Sequence, residues 1–145
     1  MNEITVFLKN HPYITTIWII LFFSIIFLWT RNLFYKIKNI SIFKAINLFN
    51  KDKAIFLDIR SKQNFALEHI VNSINIEERD FNKEKIEKLK KYKNKYIIII
   101  SYNGNESFKI ARKLKKLNFP LILILENGIK GWLENHFPTT KTKNN

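Results

Sequence analysis

The sequence contains no cysteine among its 145 residues. This absence excludes disulfide bonds, thiolate metal sites and any thiol nucleophile supplied by the chain itself. It says nothing about the redox compartment, because a chain without cysteine is compatible with either one. A dinucleotide-binding glycine motif is also missing, since Gly128 and Gly131 have no third glycine beside them. We interpret these two glycines as turn residues.

Acidic residues are few: 12 Asp and Glu stand against 25 Lys and Arg, which gives a formal net charge of +13. Only four of the basic residues are arginines, and the chain is rich in Lys, Asn, Ile and Phe, the residues that AT-rich codons encode. We therefore favour mutational bias as the cause of the charge. Attraction of the Lys-rich stretch 83–95 to anionic lipid stays open beside the simpler interpretation of a solvated helix face. No nucleic-acid motif is present, and we expect no nucleic-acid partner.

Charge is absent altogether from residues 13–30, YITTIWIILFFSIIFLWT. As a helix this stretch is about 27 Å long, close to a hydrocarbon core of about 30 Å. A cleaved signal peptide fits poorly, because the segment is long, its front end is not strongly basic and no small-residue cleavage site follows. A buried core helix would need a larger domain around it. The sequence predicts a transmembrane helix over residues 13–32, in contact with the lipid bilayer.

The charges that flank this stretch predict its orientation. Lys9 is the only basic residue before it, and Glu3 offsets that charge. Four basic residues follow within a short distance: Arg31, Lys36, Lys38 and Lys44. By the positive-inside rule we expect a short N-terminal tail, residues 1–12, outside the cell and the C-terminal part in the cytoplasm.

The remainder of the chain alternates between short apolar runs and amphipathic stretches. Continuous β-branched or leucine-rich runs, typical of strands buried on both faces, occupy residues 54–57, 97–100 and 121–125, with a weaker candidate at 73–76. Helical patterns lie between them, over residues 41–49, 61–68, 83–91 and 107–117. This alternation predicts an α/β domain with a parallel sheet flanked by helices.

The predicted boundaries follow from these patterns. We expect a juxtamembrane linker at 33–39, the α/β domain at 40–138 and a disordered polar tail at 139–145. In parallel sheets ligands bind beyond the carboxyl ends of the strands. Asp58 and the segments after Ile100 and Leu125 occupy such positions, so the functional site is expected there.

Three segments in this domain carry a family pattern. The first is LDIR at 57–60 with FALEHI at 65–70 and SINI at 73–76, the second is SYNGNES at 101–107, and the third is LENGIKGW at 125–132. Together, in this order and spacing, they resemble the rhodanese family. With the apolar N-terminal stretch, the chain is similar to membrane-anchored rhodanese-like proteins of gammaproteobacteria, which implies a bacterial inner-membrane location.

The resemblance also implies what the second segment has lost. The family's active loop begins with a cysteine that carries a sulfur atom as a persulfide, and it contains two arginines. Here Ser101 stands at the cysteine position, and Tyr102 and Glu106 stand at the arginine positions, with Asn103, Gly104, Asn105 and Ser107 completing the loop. Oxygen cannot form the persulfide bond, and Glu106 would repel an anionic donor. We therefore expect no enzymatic activity.

Other residues of the pattern are expected to have structural roles. Asp58 is interpreted as a loop organiser with Arg60 as its partner, in preference to a general base. His69 is interpreted as structural rather than as a base for Ser101, and Gly128 and Trp132 as parts of the closing turn and core. Three positions depart from family glycines or alanine, Glu68, Asn72 and Ser73, which could reduce stability if the backbone there needs a positive φ.

The expected function is therefore that of a membrane-anchored, inactive rhodanese-like module. Its expected partner is another membrane or membrane-associated protein, with no cofactor and no metal. An accessory role in sulfur transfer, with the cysteine supplied by the partner, remains the alternative.

Overall fold

The computed structural model describes residues 10, 12–33 and 37–142, with the side chains of residues 29–33 left undescribed. The chain divides into two units, residues 1–36 and 37–145. Residues 1–9 and 11 of the predicted tail, residues 34–36 of the predicted linker and the last three residues lie outside the described residues. The prediction of a linker is wrong for Lys38 and Asn39, because they pair with Leu123 and Ile124 in the sheet.

The described residues of the first unit include the helix α1 over Pro12–Leu33. Apolar side chains are exposed on all of its sides, among them Trp18, Phe22 and Phe27. Within the described part of the chain, no helix combines the length and the apolar character needed to cross a membrane. The predicted transmembrane helix over 13–32 is therefore not confirmed.

The second unit is built on a five-stranded parallel sheet with strand order β1-β6-β5-β2-β4. A two-stranded antiparallel ladder joins β3 to β7. The strands are β1 Lys38–Ile40, β2 Ala54–Asp58, β3 His69–Ile70, β4 Ile74–Asn75, β5 Tyr96–Ile100, β6 Ile122–Leu125 and β7 Thr139–Thr140. The predicted α/β class and parallel sheet are confirmed.

The described residues of this unit form five α-helices: α2 Ile42–Asn50, α3 Lys62–Leu67, α4 Lys83–Leu89, α5 Ser107–Lys116 and α6 Gly128–Glu134. Short 3₁₀ turns lie at Glu78–Asp80 and at Lys90–Tyr92. Helices α4 and α5 pack on one face of the sheet through Leu89, Ile110 and Leu114. Helices α2 and α6 pack on the other face, where Ala45 and Trp132 join a separate core. The two cores exist because β2, β5 and β6 are apolar on both faces.

The predicted tail needs a correction. Thr139 and Thr140 form β7 opposite His69 and Ile70, and the N–H of Thr142 donates to the carbonyl of Ala66 at 3.0 Å. The prediction of disorder is wrong for these residues, because their backbone groups are paired with the domain.

The two positions where the family pattern has glycine, Glu68 and Asn72, differ in backbone conformation. Glu68 has φ −166°, an extended conformation that any residue adopts, so no glycine is needed there. Asn72 has φ 61°, in the left-handed region, where asparagine is among the better tolerated residues. Only the second position carries backbone strain.

Candidate functional site

The site lies where β2, β5 and β6 end at the same edge of the sheet. Asp58 is in register with Ile100, and the N–H of Ile59 donates to the carbonyl of Ile100 at 2.9 Å. The segments that follow β2 and β5 therefore begin side by side. This is the edge at which a parallel sheet binds its ligands.

Asp58 and Arg60 form a buried ion pair, as the sequence predicted. Arg60 donates through Nε to Oδ1 of Asp58 at 3.0 Å and through a terminal nitrogen to Oδ2 at 2.7 Å. The side chain of Asp58 is 0% exposed and that of Arg60 is 9% exposed. Arg60 also donates to the carbonyl of Glu68 at 2.8 Å, which ties the end of α3 to the segment after β2. The carboxylate is fully used in holding this segment, so it is not placed as a general base.

Asn75 contributes to the same network, a role that the sequence analysis missed. Its side-chain nitrogen donates to the carbonyls of Asp58 and Arg60 at 3.1 and 3.0 Å. The family pattern around SINI contains this asparagine, so the motif itself was the available signal.

The segment after β5 folds around the side chain of Ser101. Its Oγ is fully buried, accepts a hydrogen bond from the N–H of Gly104 at 2.9 Å and accepts another from the Ser107 hydroxyl at 3.0 Å. Asn105 N–H donates to the side chain of Asn103 at 3.2 Å, which tightens the turn further. The loop thus directs a backbone N–H at the side-chain oxygen of position 101. The atom at that position is an oxygen with two hydrogen-bond donors on it.

Helix α6 supports this loop through hydrogen bonds from its first turn, which begins at Gly128. The N–H groups of Ile129 and Lys130 donate to the carbonyls of Ser101 and Tyr102 at 2.9 and 3.0 Å. A Cβ on Gly128 would lie 2.3 Å from the Ser101 carbonyl oxygen, and the residue has φ 53°. Only glycine allows this close approach, so the turn interpretation of Gly128 agrees with the geometry.

Trp132 anchors α6 in the core. Its side chain is buried, packs edge-on against Phe56 at a centroid distance of 5.6 Å and donates from Nε1 to the carbonyl of Pro138 at 3.1 Å. This indole therefore fixes the distance between α6 and the sheet, and through α6 the position of the loop.

His69 lies in a structural position. Its Nδ1 is 2.7 Å from the carbonyl of Phe65 and donates to it, and its ring stacks on that of Phe65 at 3.8 Å. Ser101 is bonded instead to Gly104 and Ser107. The Ser101–His69 pair that a serine nucleophile would need is not formed.

An open depression of about 540 Å³ lies in front of the loop. Tyr102 and Glu106 border it, and both are exposed. Its charged lining is completed by Arg60, Glu77, Glu78, Arg79 and Lys109.

Every cation of the depression is already paired with a carboxylate. Arg60 binds Asp58, Arg79 binds Glu77 at 2.8 Å, and Lys109 binds Glu78 at 2.5 Å. The hydrogen bond that the Lys109 ammonium donates to the Glu78 carboxylate raises the pKa of Lys109 above its ordinary value. Glu106 caps no helical N–H with its side chain and makes no ion pair with another described residue. The depression therefore offers an anionic donor one unpaired carboxylate and no unpaired cation.

Metal chemistry has no support in the part of the chain that the structure describes, since no three His, Asp or Glu side chains there are grouped to hold an ion.

The rhodanese-like domain model matches residues 43–135. The chain belongs to the rhodanese-like domain family. It is 35% identical over 144 residues to an uncharacterized protein of Buchnera aphidicola from Schizaphis graminum, covering 99% of this chain and 97% of that one. It is 29% identical over 143 residues to the uncharacterized protein YibN of Escherichia coli K12, covering 99% and 100%.

Among solved structures, the BH2092 protein from Bacillus halodurans superposes with a TM-score of 0.65 at 22% identity, covering 82% of this chain and 85% of that one. At this identity the likeness concerns the fold alone. The match to the rhodanese-like domain model includes the loop 101–107, which contains no cysteine.

Proposed function

We propose that this chain is an inactive rhodanese-like module that binds another protein through the loop 101–107 and the depression in front of it. The observation that carries the proposal is the combination of a well-supported loop with a site unsuited to sulfur chemistry. Ser101 is buried and doubly hydrogen bonded, and each cation of the depression is paired. A binding surface needs the shape of the loop and not its nucleophile.

The exposed residues of the loop have the character of a contact surface. The Tyr102 side chain is 59% exposed, and Phe108 at the start of α5 is 38% exposed. Aromatic side chains are enriched at protein interfaces because they offer a large contact area with little loss of conformational freedom. Glu106 next to them would favour a partner with a basic residue at this point.

Site-specific photo-crosslinking of the full-length protein in native membranes tests this proposal. A photoreactive residue at Tyr102 is expected to capture one discrete protein, and Glu106→Gln is expected to weaken the capture. Phe43, which is 72% exposed on α2 at the other face of the sheet, is the matched control position. The same products from both positions, or none above background from Tyr102, would refute the proposal.

We also propose that the protein acts at the cytoplasmic face of the bacterial inner membrane, attached through α1. Support comes from the apolar side chains that α1 exposes along its described length, since apolar surface of this extent marks contact with a partner or a membrane. Retention in the membrane fraction after alkaline extraction is expected, with the domain digested by protease only from the cytoplasmic side. Release by alkali would contradict the attachment.

The alternative, an accessory in sulfur transfer to a partner's cysteine, is favoured by one feature, the Gly104 N–H that still points at position 101. It predicts that delivery of sulfur from a donor protein to a thiol acceptor accelerates when this chain is added. Equal rates with and without the chain would eliminate it.

A further inference from the structure

The two faces of the sheet differ sharply in charge. On one face, α4, the 3₁₀ turn after it and α5 carry ten Lys and Arg residues and two Glu. On the other face, α2 and α6 carry two Lys and one Glu. Codon bias enriches lysine wherever a position is exposed, so it does not by itself produce one strongly basic face and one nearly neutral face.

The basic residues of α4 and α5 form one continuous surface because the helices pack side by side on the same core. Leu89 of α4 and Leu114 of α5 are buried in that core. Lys113 of α5 donates to the carbonyl of Phe81, just before α4, at 3.0 Å. Lys93 lies over the ring of Phe119, just after α5, at 5.4 Å. We call the surface formed by α4, the Lys90–Tyr92 turn and α5 the basic face.

Several cations of the basic face have no carboxylate partner among the described residues. Four of the lysines form ion pairs with acidic residues between positions 78 and 87: Lys85, Lys88, Lys90 and Lys109. Lys83, Lys91, Arg112 and Lys116 form none. The positive charge of the face is therefore only partly neutralised within the domain.

We propose that the basic face docks onto an anionic phospholipid surface. Nine of its ten cations are lysines, whose compact ammonium groups act as point charges and need no planar, bidentate partner. Leu117 is 39% exposed directly after the lysines of α5. Lysines together with an exposed apolar side chain on a helix suit the boundary between lipid head groups and acyl chains. This docking does not depend on what the loop 101–107 binds.

The absence of cysteine makes a site-specific test possible in the full chain. A fluorophore is attached through Leu117→Cys, directly after α5 of the basic face, or through Asn47→Cys on α2, and vesicles carry lipids with quenchers in their acyl chains. With phosphatidylcholine and phosphatidylglycerol in equal parts at low salt, the label at 117 is expected to be quenched and the label at 47 to be unaffected. High salt or pure phosphatidylcholine should remove the quenching.

This comparison holds even if α1 by itself brings the protein to the vesicles, because only the orientation of the domain distinguishes the two labels. No quenching at 117 on anionic vesicles at low salt, or equal quenching at both positions, would overturn the proposal. A response of the 117 label to an oligonucleotide together with none to anionic vesicles would assign the face to nucleic acid and would also overturn it.

A pair of charge variants separates this surface from net charge alone. Arg112→Glu with Lys116→Glu reverses two charges on the basic face, and Lys44→Glu with Lys51→Glu makes the same change in net charge at and beside α2. The first pair is expected to weaken the anion-dependent quenching more than about tenfold, and the second to leave it within about twofold. Equal effects would mean that total charge, and not this face, attracts the lipid.

Discussion

Two segments begin side by side at the carboxyl edge of the sheet, one after β2 and one after β5. The segment after β2 keeps a buried Asp58–Arg60 pair in which both carboxylate oxygens are bonded. The segment after β5 keeps its backbone turn and its support from α6, but a serine oxygen lies at its centre.

The difference teaches which part of an active site the fold itself needs. Removing one partner of a buried ion pair leaves an uncompensated charge. The stability of the fold is therefore enough to require Asp58 and Arg60 together. The side chain at position 101 only has to fill its space and accept the hydrogen bonds of its loop. The turn around position 101 is therefore formed here with an oxygen atom at its centre.

The largest expected effect is on the β2 side. Asp58→Ala should lower the free energy of unfolding by about 3–5 kcal/mol, because the buried guanidinium of Arg60 then has no carboxylate. Chemical denaturation followed by circular dichroism measures the change. Adding Arg60→Ala should recover part of the loss, since the unpaired charge goes with it. Glu84→Gln, at an exposed pair on α4, should have no measurable effect. A loss as small for Asp58→Ala would contradict the comparison.

The next largest effect on the free energy of unfolding concerns the segment after β5 and the glycine of α6 that supports it. Gly128→Ala should destabilise the domain by about 3 kcal/mol, because a Cβ there would meet two carbonyl oxygens of the loop and the backbone is left-handed. Gly104→Ala is the matched control, with φ +93° but no atom closer than 3.5 Å to its Cβ. Its cost should be about 1–2 kcal/mol. Equal losses would mean that backbone strain alone, without the close approach, explains both.

The sequence predicted the central elements because their patterns are long. The apolar runs that became β2, β5 and β6 need burial on both faces, and the spacing of Ile110, Leu114 and Leu117 is typical of a helix. The residues LDIR were enough to predict the ion pair of the first segment.

The sequence missed the strands β1, β3 and β7 and the seven-residue helix α6, all of which are short. Strands β1 and β7 are three and two residues long and partly polar, so neither shows a periodic pattern. Their pairing depends on β6 and on His69–Ile70, which no local signal reveals. The ion pairs of Arg79 with Glu77 and of Lys109 with Glu78 are likewise visible only in the folded chain. These pairs determine the charge of the depression.

The smallest expected effect on stability comes from placing a sulfur atom at position 101. Ser101→Cys should change the free energy of unfolding by less than about 1 kcal/mol, since a thiol of similar shape can accept the same weak hydrogen bonds. The thiolate could then attack the outer sulfur of an anionic sulfane donor. The donor's S–S bond breaks, its electron pair leaves with the remaining group, and a persulfide stays on the chain. Mass spectrometry detects the added sulfur atom.

We expect this single change to give slow loading, because the depression still has no unpaired cation and Glu106 still repels anions. Adding Glu106→Arg should accelerate loading about tenfold or more by reversing that charge at the mouth of the site. Glu87→Arg on α4 makes the same change in net charge away from the loop and is the matched control. If Glu87→Arg accelerates loading equally, long-range charge governs it. If neither variant accelerates loading, the backbone of the loop after β5 is also unsuited to catalysis. The two segments would then differ in backbone geometry as well as in side chains.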